Sequence, residues 1–275
     1  MSVFTYSFAV RAYIAVAAVG FAAPLVGAFL VQRRLALIGD GIGHLAFAGV
    51  AIGIALSFAP VWGALATAVV GALVLERLRT AGRIAGDLAL ALVFYGGLAL
   101  GIILLSASHR FDASAIGVLF GSVLTASTGD VITAVALCAL VAAMIVPFYR
   151  QLLAVALDEE TARAAGLPVD ALNLLTVTLT ALLVSAGMRV VGLLLIASLL
   201  VIPVAAGSRL AHSFRDTVVW GTAIGVASGL GGLLIALGQG SIAPGGTIVL
   251  TSILAFVVAA FAGRRAARRH PRTAP

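Results

Sequence analysis

An aspartate and a histidine, Asp40 and His44, lie four residues apart in an otherwise apolar stretch of the chain. On a helix this spacing puts both side chains on one face, within reach of the same ion. Carboxylate oxygen and imidazole nitrogen bind zinc and also manganese or iron, and a site without thiolates suits a metal that must be released. The alternative is structural: Asp40 caps its helix and His44 bonds to a neighbouring span.

The composition places this pair inside a membrane protein. Of the 275 residues, 62% are hydrophobic and 10% are charged, against about 45–50% and about 25% in soluble domains. The apolar residues form long runs, and a helical span needs about 20 of them. The predicted fold class is therefore all-α: a polytopic integral membrane protein with about eight to nine transmembrane helices, short loops, and a single domain over 1–275.

The positive charge fits a membrane topology better than nucleic-acid binding. All 17 basic residues are arginine, and the net charge is +7. The arginines cluster between the apolar runs, as positive charge does in cytoplasmic loops, and no aromatic residues alternate with them. Nucleic acid is therefore not an expected partner. An outer N-terminus and a cytoplasmic C-terminus leave only Arg11, Arg110 and Arg189 off the cytoplasmic side.

Each apolar run is predicted to be a membrane span, except 113–127, which is short and is expected to be a re-entrant or outer-surface helix. Two short runs, 172–186 and 190–206, are expected to join at Gly187, Met188 and Arg189. The remaining predicted spans are 8–31, 37–58, one that ends at Glu76, 84–105, 131–148, 218–237 and one that ends at Arg264.

The longest polar insertion is predicted at 151–170, in a cytoplasmic loop. Asp158, Glu159 and Glu160 are typical of a helix N-terminus, and Gly166 and Pro168 are typical of the residues just beyond a helix C-terminus. We expect a short surface helix, too short to cross the membrane and suited to docking on a partner. A solvated connection without a partner is the alternative.

Taken together and in order, several short motifs resemble the ZnuB-type permeases, the membrane subunits of ATP-binding-cassette importers for zinc and manganese. The resemblance covers nearly the whole chain. It rests on Gly39, Asp40, His44 and 49–51, on 119–122, on 148–150, on 158–160 with 162–166, on 190–195, on 202–206 and on 245–250.

This resemblance implies a permease homodimer in the bacterial cytoplasmic membrane, joined to two copies of a cytoplasmic ATPase and supplied by an extracytoplasmic metal-binding protein. It implies that Asp40 and His44 line the pathway of transported zinc or manganese, with no permanently bound cofactor. The chain has no lysine and no phosphate-binding loop, so ATP hydrolysis belongs to the separate subunit. The residues that would couple the permease to that ATPase are Asp158, Glu159, Glu160, Ala162, Arg163 and Gly166.

Three further polar residues are additional candidates. Asp87 lies at the start of the fourth predicted span, where many family members have two acidic residues and this chain has Gly86 before the aspartate. His109 is the histidine of the predicted outer loop, and Arg189 is a charge between two short apolar runs that would need a carboxylate partner if it were buried.

Other function classes stay open at this point. A permease for an iron chelate would share the same architecture, although an Asp-His pair favours a bare ion. A carrier driven by an ion gradient would work without an ATPase. An intramembrane metalloenzyme has little support, because the sequence has no His-Glu-x-x-His and only His44 of four histidines lies within a predicted span.

Overall fold

The computed structural model describes residues 7–80, 86–108, 126–239 and 243–269. Within these ranges the chain is built of helices and contains no strand. The helices are α1 (Ser7–Gln32), α2 (Ile38–Ala55), α3 (Pro60–Thr80), α4 (Gly86–Ala107), α5 (Thr128–Leu157), α6 (Glu159–Ala164), α7 (Val169–Val191), α8 (Leu193–Leu210), α9 (Phe214–Gln239) and α10 (Pro244–Arg269).

Nine of the described helices, all except α6, are long and apolar enough to cross a membrane. The prediction of an all-α polytopic membrane protein is confirmed. The ends of α1, α3 and α5 meet at one end of the bundle, where Arg33, Arg79 and Glu159 contact one another. We call this the arginine-rich end, and Arg209 at the end of α8 and Arg215 at the start of α9 lie there too.

Three helices form the centre of the bundle. In α1, α2 and α7, 67%, 67% and 72% of the spanning residues are buried within the protein, whereas α4, α5 and α10 bury less than a third. Bulky side chains such as Phe29, Leu183 and Leu199 fill this core. The peripheral helices present apolar side chains outward, as a lipid-facing surface requires.

Helix α2 packs against its neighbours through backbone contacts that only glycine permits. A Cβ on Gly97 of α4 would lie 2.8 Å from the carbonyl carbon of His44, and a Cβ on Gly49 of α2 would collide with the backbone of Gly63 in α3. Small residues of this kind let membrane helices approach closely. Because Gly97 lies against the backbone of His44 itself, α4 directly supports this part of α2.

The junction between α7 and α8 is at Gly192, so the prediction of a break at 187–189 is wrong. Gly192 has φ of +92°, a conformation that glycine adopts readily and other residues avoid. Helix α7 therefore runs through Arg189 to Val191, and α8 begins at Leu193. The charge of Arg189 predicts a loop at this residue, but the backbone turns three residues later, at Gly192.

The polar insertion is shorter than predicted. Residues 151–157 continue α5, which is 30 residues long, although they were expected to belong to the loop. The short helix α6 then begins after Asp158, as the acidic residues indicate, and ends before Gly166, whose φ is +83°. The predicted helix at 113–127 cannot be compared, because 109–125 lie outside the described residues.

Candidate functional site

A cavity of about 560 Å³ opens between α2, α4 and α8 and contains the Asp-His pair. Of the described residues that line it, Asp40 and His44 alone are ionisable. Apart from Ser198, the other lining side chains are apolar: Ala36, Leu37, Phe94, Leu98, Leu193, Leu194, Ala197 and Val201. A cation in this cavity would therefore find its protein ligands on one face of α2.

The two side chains lie side by side. The Nε2 atom of His44 is 3.9 Å from the Oδ1 atom of Asp40, which is too long for a hydrogen bond but short enough for both atoms to contact one ion. The Asp40 side chain is 36% exposed and the His44 side chain 13%. The His44 ring packs against Phe94, with 4.1 Å between the ring centroids, and this contact fixes the orientation of the imidazole.

The structural alternative for this pair lacks support in the described residues. The residue at the N-cap of α2 is Leu37, and no side chain caps the helix there. Neither the Asp40 side chain nor the His44 side chain forms a hydrogen bond with another described residue, and the Nδ1 atom of His44 is buried without a partner among them. Buried polar atoms are normally hydrogen-bonded. An ion between Oδ1 of Asp40 and Nε2 of His44 would bind the two side-chain atoms that face each other, while Nδ1 points away from Asp40.

His44 lies level with the middle of the neighbouring helices, whereas Asp40 is in the first turn of α2. His44 contacts Gly97, halfway along α4, and the hydroxyl of Thr67, in the middle of α3, donates a hydrogen bond of 3.0 Å to the carbonyl of Leu45. Substrate sites of transporters lie near this depth. Among the described residues no third His, Cys, Asp or Glu joins the two, so one protomer offers an ion two protein ligands.

A second cluster, at the arginine-rich end, ties α6 to the rest of the bundle. Glu159, the first residue of α6, accepts hydrogen bonds at Oε1 from Arg33 (2.5 Å), Arg79 (3.3 Å) and Asn173 (3.4 Å). Arg79 also binds both carboxylate oxygens of Glu76, at 2.8 and 3.0 Å. We call these five residues the Glu159 network.

The Glu159 network is largely removed from water. The side chains of Arg33 and Glu76 are 6% and 2% exposed. Burial alone would raise the pKa of Glu159, but the charges of Arg33 and Arg79 outweigh it, so the pKa of this carboxyl is below its usual value. Glu159 is therefore an anion, and its contacts join α6 to the α1–α2 connection, to α3 and to α7.

The other predicted coupling residues shape α6. The carboxylate of Asp158 accepts hydrogen bonds from the N–H groups of Glu160 (2.9 Å) and Thr161 (3.2 Å), and from the Thr161 hydroxyl (2.6 Å), and these bonds lower its pKa. Ala162 is buried, and Arg163 forms an exposed ion pair with Asp170 at 2.8 Å. Glu160 is exposed, so it is the acidic side chain of this helix that faces outward.

The three additional candidates are only partly described. Asp87 is the second residue of α4 and Arg189 lies within α7, but their side chains are outside the described part of the structure. His109 lies outside the described residues altogether. None of the three can be placed in the cavity with Asp40 and His44.

Sequence reasoning missed several residues at both places. Phe94 and Ser198 line the cavity from α4 and α8, and nothing in their local sequence marks them. Glu76 and Asn173 did carry a signal, because each is a polar residue beside an apolar run, and such residues are functional candidates by default. Their partner Glu159 could not be identified without the fold, since it is 80 residues from Arg79 in the chain.

Known proteins share both the sequence and the architecture. The manganese transport system membrane protein MntC of Halalkalibacterium halodurans is 30% identical over 257 residues, covering 94% of this chain and 88% of that protein. The high-affinity zinc uptake system membrane protein ZnuB of Haemophilus influenzae is 29% identical over 243 residues, with 88% and 92% covered. The structure of PsaBC from Streptococcus pneumoniae in complex with Fab matches with a TM-score of 0.83 and 29% identity, covering 93% of this chain and 92% of that one.

The family comparison reaches almost from end to end of the sequence. The ABC 3 transport family matches residues 5–263, which include α2, the cavity and α6. With nine apolar helices in the described residues, the architecture is that of a multi-pass membrane permease. The chain belongs to the ABC 3 transport family.

Proposed function

We propose that this protein is the membrane permease subunit of an ATP-binding-cassette importer that moves a divalent transition metal ion into the cytoplasm, with zinc ahead of manganese. Relatives of this chain are named for each of these metals. The observation that carries the proposal is the Asp40–His44 pair, whose side chains form no hydrogen bond with another described residue and lie side by side in one cavity.

The ligand set supports transport rather than storage. Zinc in a structural site is held by four protein ligands, whereas one protomer here offers a carboxylate and an imidazole. The open coordination positions let water enter and the ion leave. Oxygen and nitrogen ligands bind both zinc and manganese, so the selectivity between the two metals depends on the coordination geometry of the occupied site.

The arginine-rich end is assigned to the cytoplasm in this proposal. Positive charge is retained in cytoplasmic loops, and Arg33, Arg79, Arg209 and Arg215 all lie at this end. The end of α10 lies there as well, because Gly263 packs against the backbone of Arg209. In this proposal the C-terminus is therefore cytoplasmic. The membrane is the cytoplasmic membrane of a bacterium.

Helix α6 couples the permease to an ATPase in this scheme. It lies at the arginine-rich end and is too short to cross a membrane, and its exposed Glu160 and Arg163 are available to a partner. Glu159 on the same helix holds Arg33, seven residues before Asp40. Movement of α6 would therefore reach the start of α2 through this contact. Two permease chains, two ATPase subunits and a metal-binding protein on the opposite side complete the importer.

Uptake of radioactive zinc by the assembled importer in proteoliposomes tests the proposal. Asp40→Asn keeps the side-chain volume and removes the negative charge, and His44→Gln removes the imidazole ligand, so we expect each to lower uptake at least tenfold. Ser198→Ala is the matched control in the same cavity, because its hydroxyl donates to the Leu195 carbonyl of its own helix at 2.7 Å and carries no charge to attract a divalent ion. We expect that variant to remain within twofold of the wild type.

Each alternative has its own outcome in this assay. Uptake of manganese but not zinc would keep the mechanism and change the substrate. Uptake of a ferric chelate with no uptake of bare ions would replace the substrate class, and uptake without ATP would indicate a gradient-driven carrier. Wild-type transport in both Asp40→Asn and His44→Gln would overturn the role of the pair.

A further inference from the structure

A groove away from the metal pair opens between α5 and α9 near the arginine-rich end. Both helices pack against α1, and Leu25 and Phe29 of α1 form the floor between them. The groove encloses about 530 Å³. Its walls include Val146 and Val219, whose side chains are 74% and 59% exposed and thus face the surroundings of the bundle. Apolar walls of this kind are suited to hydrocarbon.

Three aromatic rings close the groove at the arginine-rich end. The ring centroids of Phe29 and Phe214 are 5.2 Å apart, and those of Tyr149 and Phe214 are 6.1 Å apart. Arg150 and Arg215 each follow one of these aromatic residues in the sequence, and both line the groove. The packing of Tyr149 against Phe214 therefore brings the two arginines to the same end of one cavity.

The polar groups at this end lack partners within the described residues. Neither Arg150 nor Arg215 forms an ion pair or a hydrogen bond there, in contrast to the arginines of the Glu159 network. The hydroxyl oxygen of Tyr149 is buried and has no hydrogen-bond partner. Buried hydroxyl groups are normally hydrogen-bonded. Two cations and a hydroxyl donor thus surround the end of an apolar groove without an acceptor.

We propose that this groove binds an anionic phospholipid of the surrounding membrane. The phosphodiester accepts hydrogen bonds from Arg150, Arg215 and the Tyr149 hydroxyl, and an acyl chain lies along Val146 and Val219. Arginine is suited to this task, because its planar guanidinium binds phosphate oxygens in pairs. Basic pockets between membrane helices bind anionic head groups in this way.

A lipid is favoured over a free phosphate because most of the lining is apolar. Leu25, Ala142, Val146 and Val219 would stay in contact with water if the site held an inorganic anion alone. The proposal does not depend on which metal is transported, or on transport at all, since it concerns a different face of the bundle from Asp40 and His44.

Native mass spectrometry of the assembled transporter, released from vesicles of equal phosphatidylglycerol and phosphatidylcholine, tests the site. The wild type is expected to retain phosphatidylglycerol at least fivefold over phosphatidylcholine. The double variant Arg150→Gln/Arg215→Gln should lose this preference. Tyr149→Phe, which keeps the ring packing, should lower the retention of both lipids about twofold to fivefold and leave the preference unchanged, because both carry the phosphodiester that loses one neutral hydrogen bond. The matched control Arg77→Gln/Arg264→Gln removes two exposed arginines elsewhere and should retain the wild-type preference.

Three results would overturn the proposal. The first is equal retention of phosphatidylglycerol by the wild type and the Arg150→Gln/Arg215→Gln variant. The second is displacement of the retained lipid by millimolar inorganic phosphate, which would show a site for free anions. The third is unchanged lipid retention together with loss of the ATPase subunit from the variant complex, which would make the two arginines a protein contact.

Discussion

Arg33 and Glu159 are 126 positions apart in the sequence, yet the Nη2 atom of Arg33 lies 2.5 Å from the Oε1 atom of Glu159. One residue precedes the helix that carries Asp40 and His44, and the other begins the helix that we assign to contact with the ATPase. A short, largely buried ion pair thus joins the two parts of the molecule that an importer must connect.

A double-mutant cycle measures this connection. Glu159→Gln leaves the buried Arg33 without its partner, and Arg33→Gln removes one of the two arginines that bind Glu159, so each should lower the thermal unfolding midpoint in detergent. The double variant should lose less than the sum of the two, with a coupling energy of about 1–3 kcal/mol. The exposed pair Arg163–Asp170 is the control, since solvent screens such pairs and leaves little coupling between them. Additive losses at Arg33 and Glu159 would contradict a direct interaction.

The stability of the arginine-rich end should depend on pH through Glu159. Its pKa is lower in the folded protein than the value of about 4.3 for an unpaired glutamate, so the unfolded chain takes up a proton first as the pH falls. The stabilisation is complete above about pH 4.3 and is lost as the pH falls through the lower folded value. Unfolding midpoints between pH 6 and pH 3 should show this fall in the wild type and a smaller one in Glu159→Gln. Identical pH profiles would show that Glu159 does not contribute.

Two adjacent glycines in α4 provide a matched test of how His44 is held. A Cβ on Gly97 would lie 2.8 to 2.9 Å from backbone atoms of His44 and Leu45, whereas a Cβ on Gly96 meets nothing within 4 Å. Gly97→Ala should therefore displace α2 at a cost of about 1–3 kcal/mol and reduce metal uptake. Gly96→Ala should leave uptake unchanged. Equal uptake by both variants at equal abundance would mean that the position of His44 tolerates this shift.

The cap of α6 should control the local stability of that helix. Asp158→Ala removes the acceptor for two backbone N–H groups and should cost about 0.5–2 kcal/mol, while Asp158→Asn keeps an acceptor oxygen in place. Hydrogen–deuterium exchange of a peptide covering 158–166 should become several-fold faster in Asp158→Ala than in Asp158→Asn. The same rate in both variants would show that the cap does not limit opening of the helix.

The features that could be predicted from the sequence are those with a local signal. Runs of apolar residues predict the membrane spans. The acidic residues at the start of α6 and the glycine after it predict that helix, and the structure contains both. The resemblance to metal permeases is confirmed by the family match. The role of Asp40 and His44 as metal ligands, and of the residues of α6 in coupling, stays a prediction.

Other features depend on tertiary structure and could not be predicted. The sequence predicts the turn at 187–189 because a charged residue, Arg189, interrupts the apolar run there. The sequence does not show which of the many glycines has a positive φ, so Gly192 could not be identified. The partner of Arg33 lies on a helix far along the chain, so no spacing rule identifies it. Glu76 was expected in a polar loop and is instead buried, because Arg79 compensates its charge.

The close contacts of α2 also determine which parts of the bundle can move. Gly49 meets Gly63 of α3, and Gly97 of α4 meets His44, backbone against backbone, so these three helices have little room to slide past one another. Toward α8 the contacts are made by flexible ends of side chains, where Leu193 and Leu200 reach Gly43 and Gly39. We therefore expect α2, α3 and α4 to turn as one rigid body. The contact between α2 and α8 would then open and close, and with it the cavity that holds Asp40 and His44.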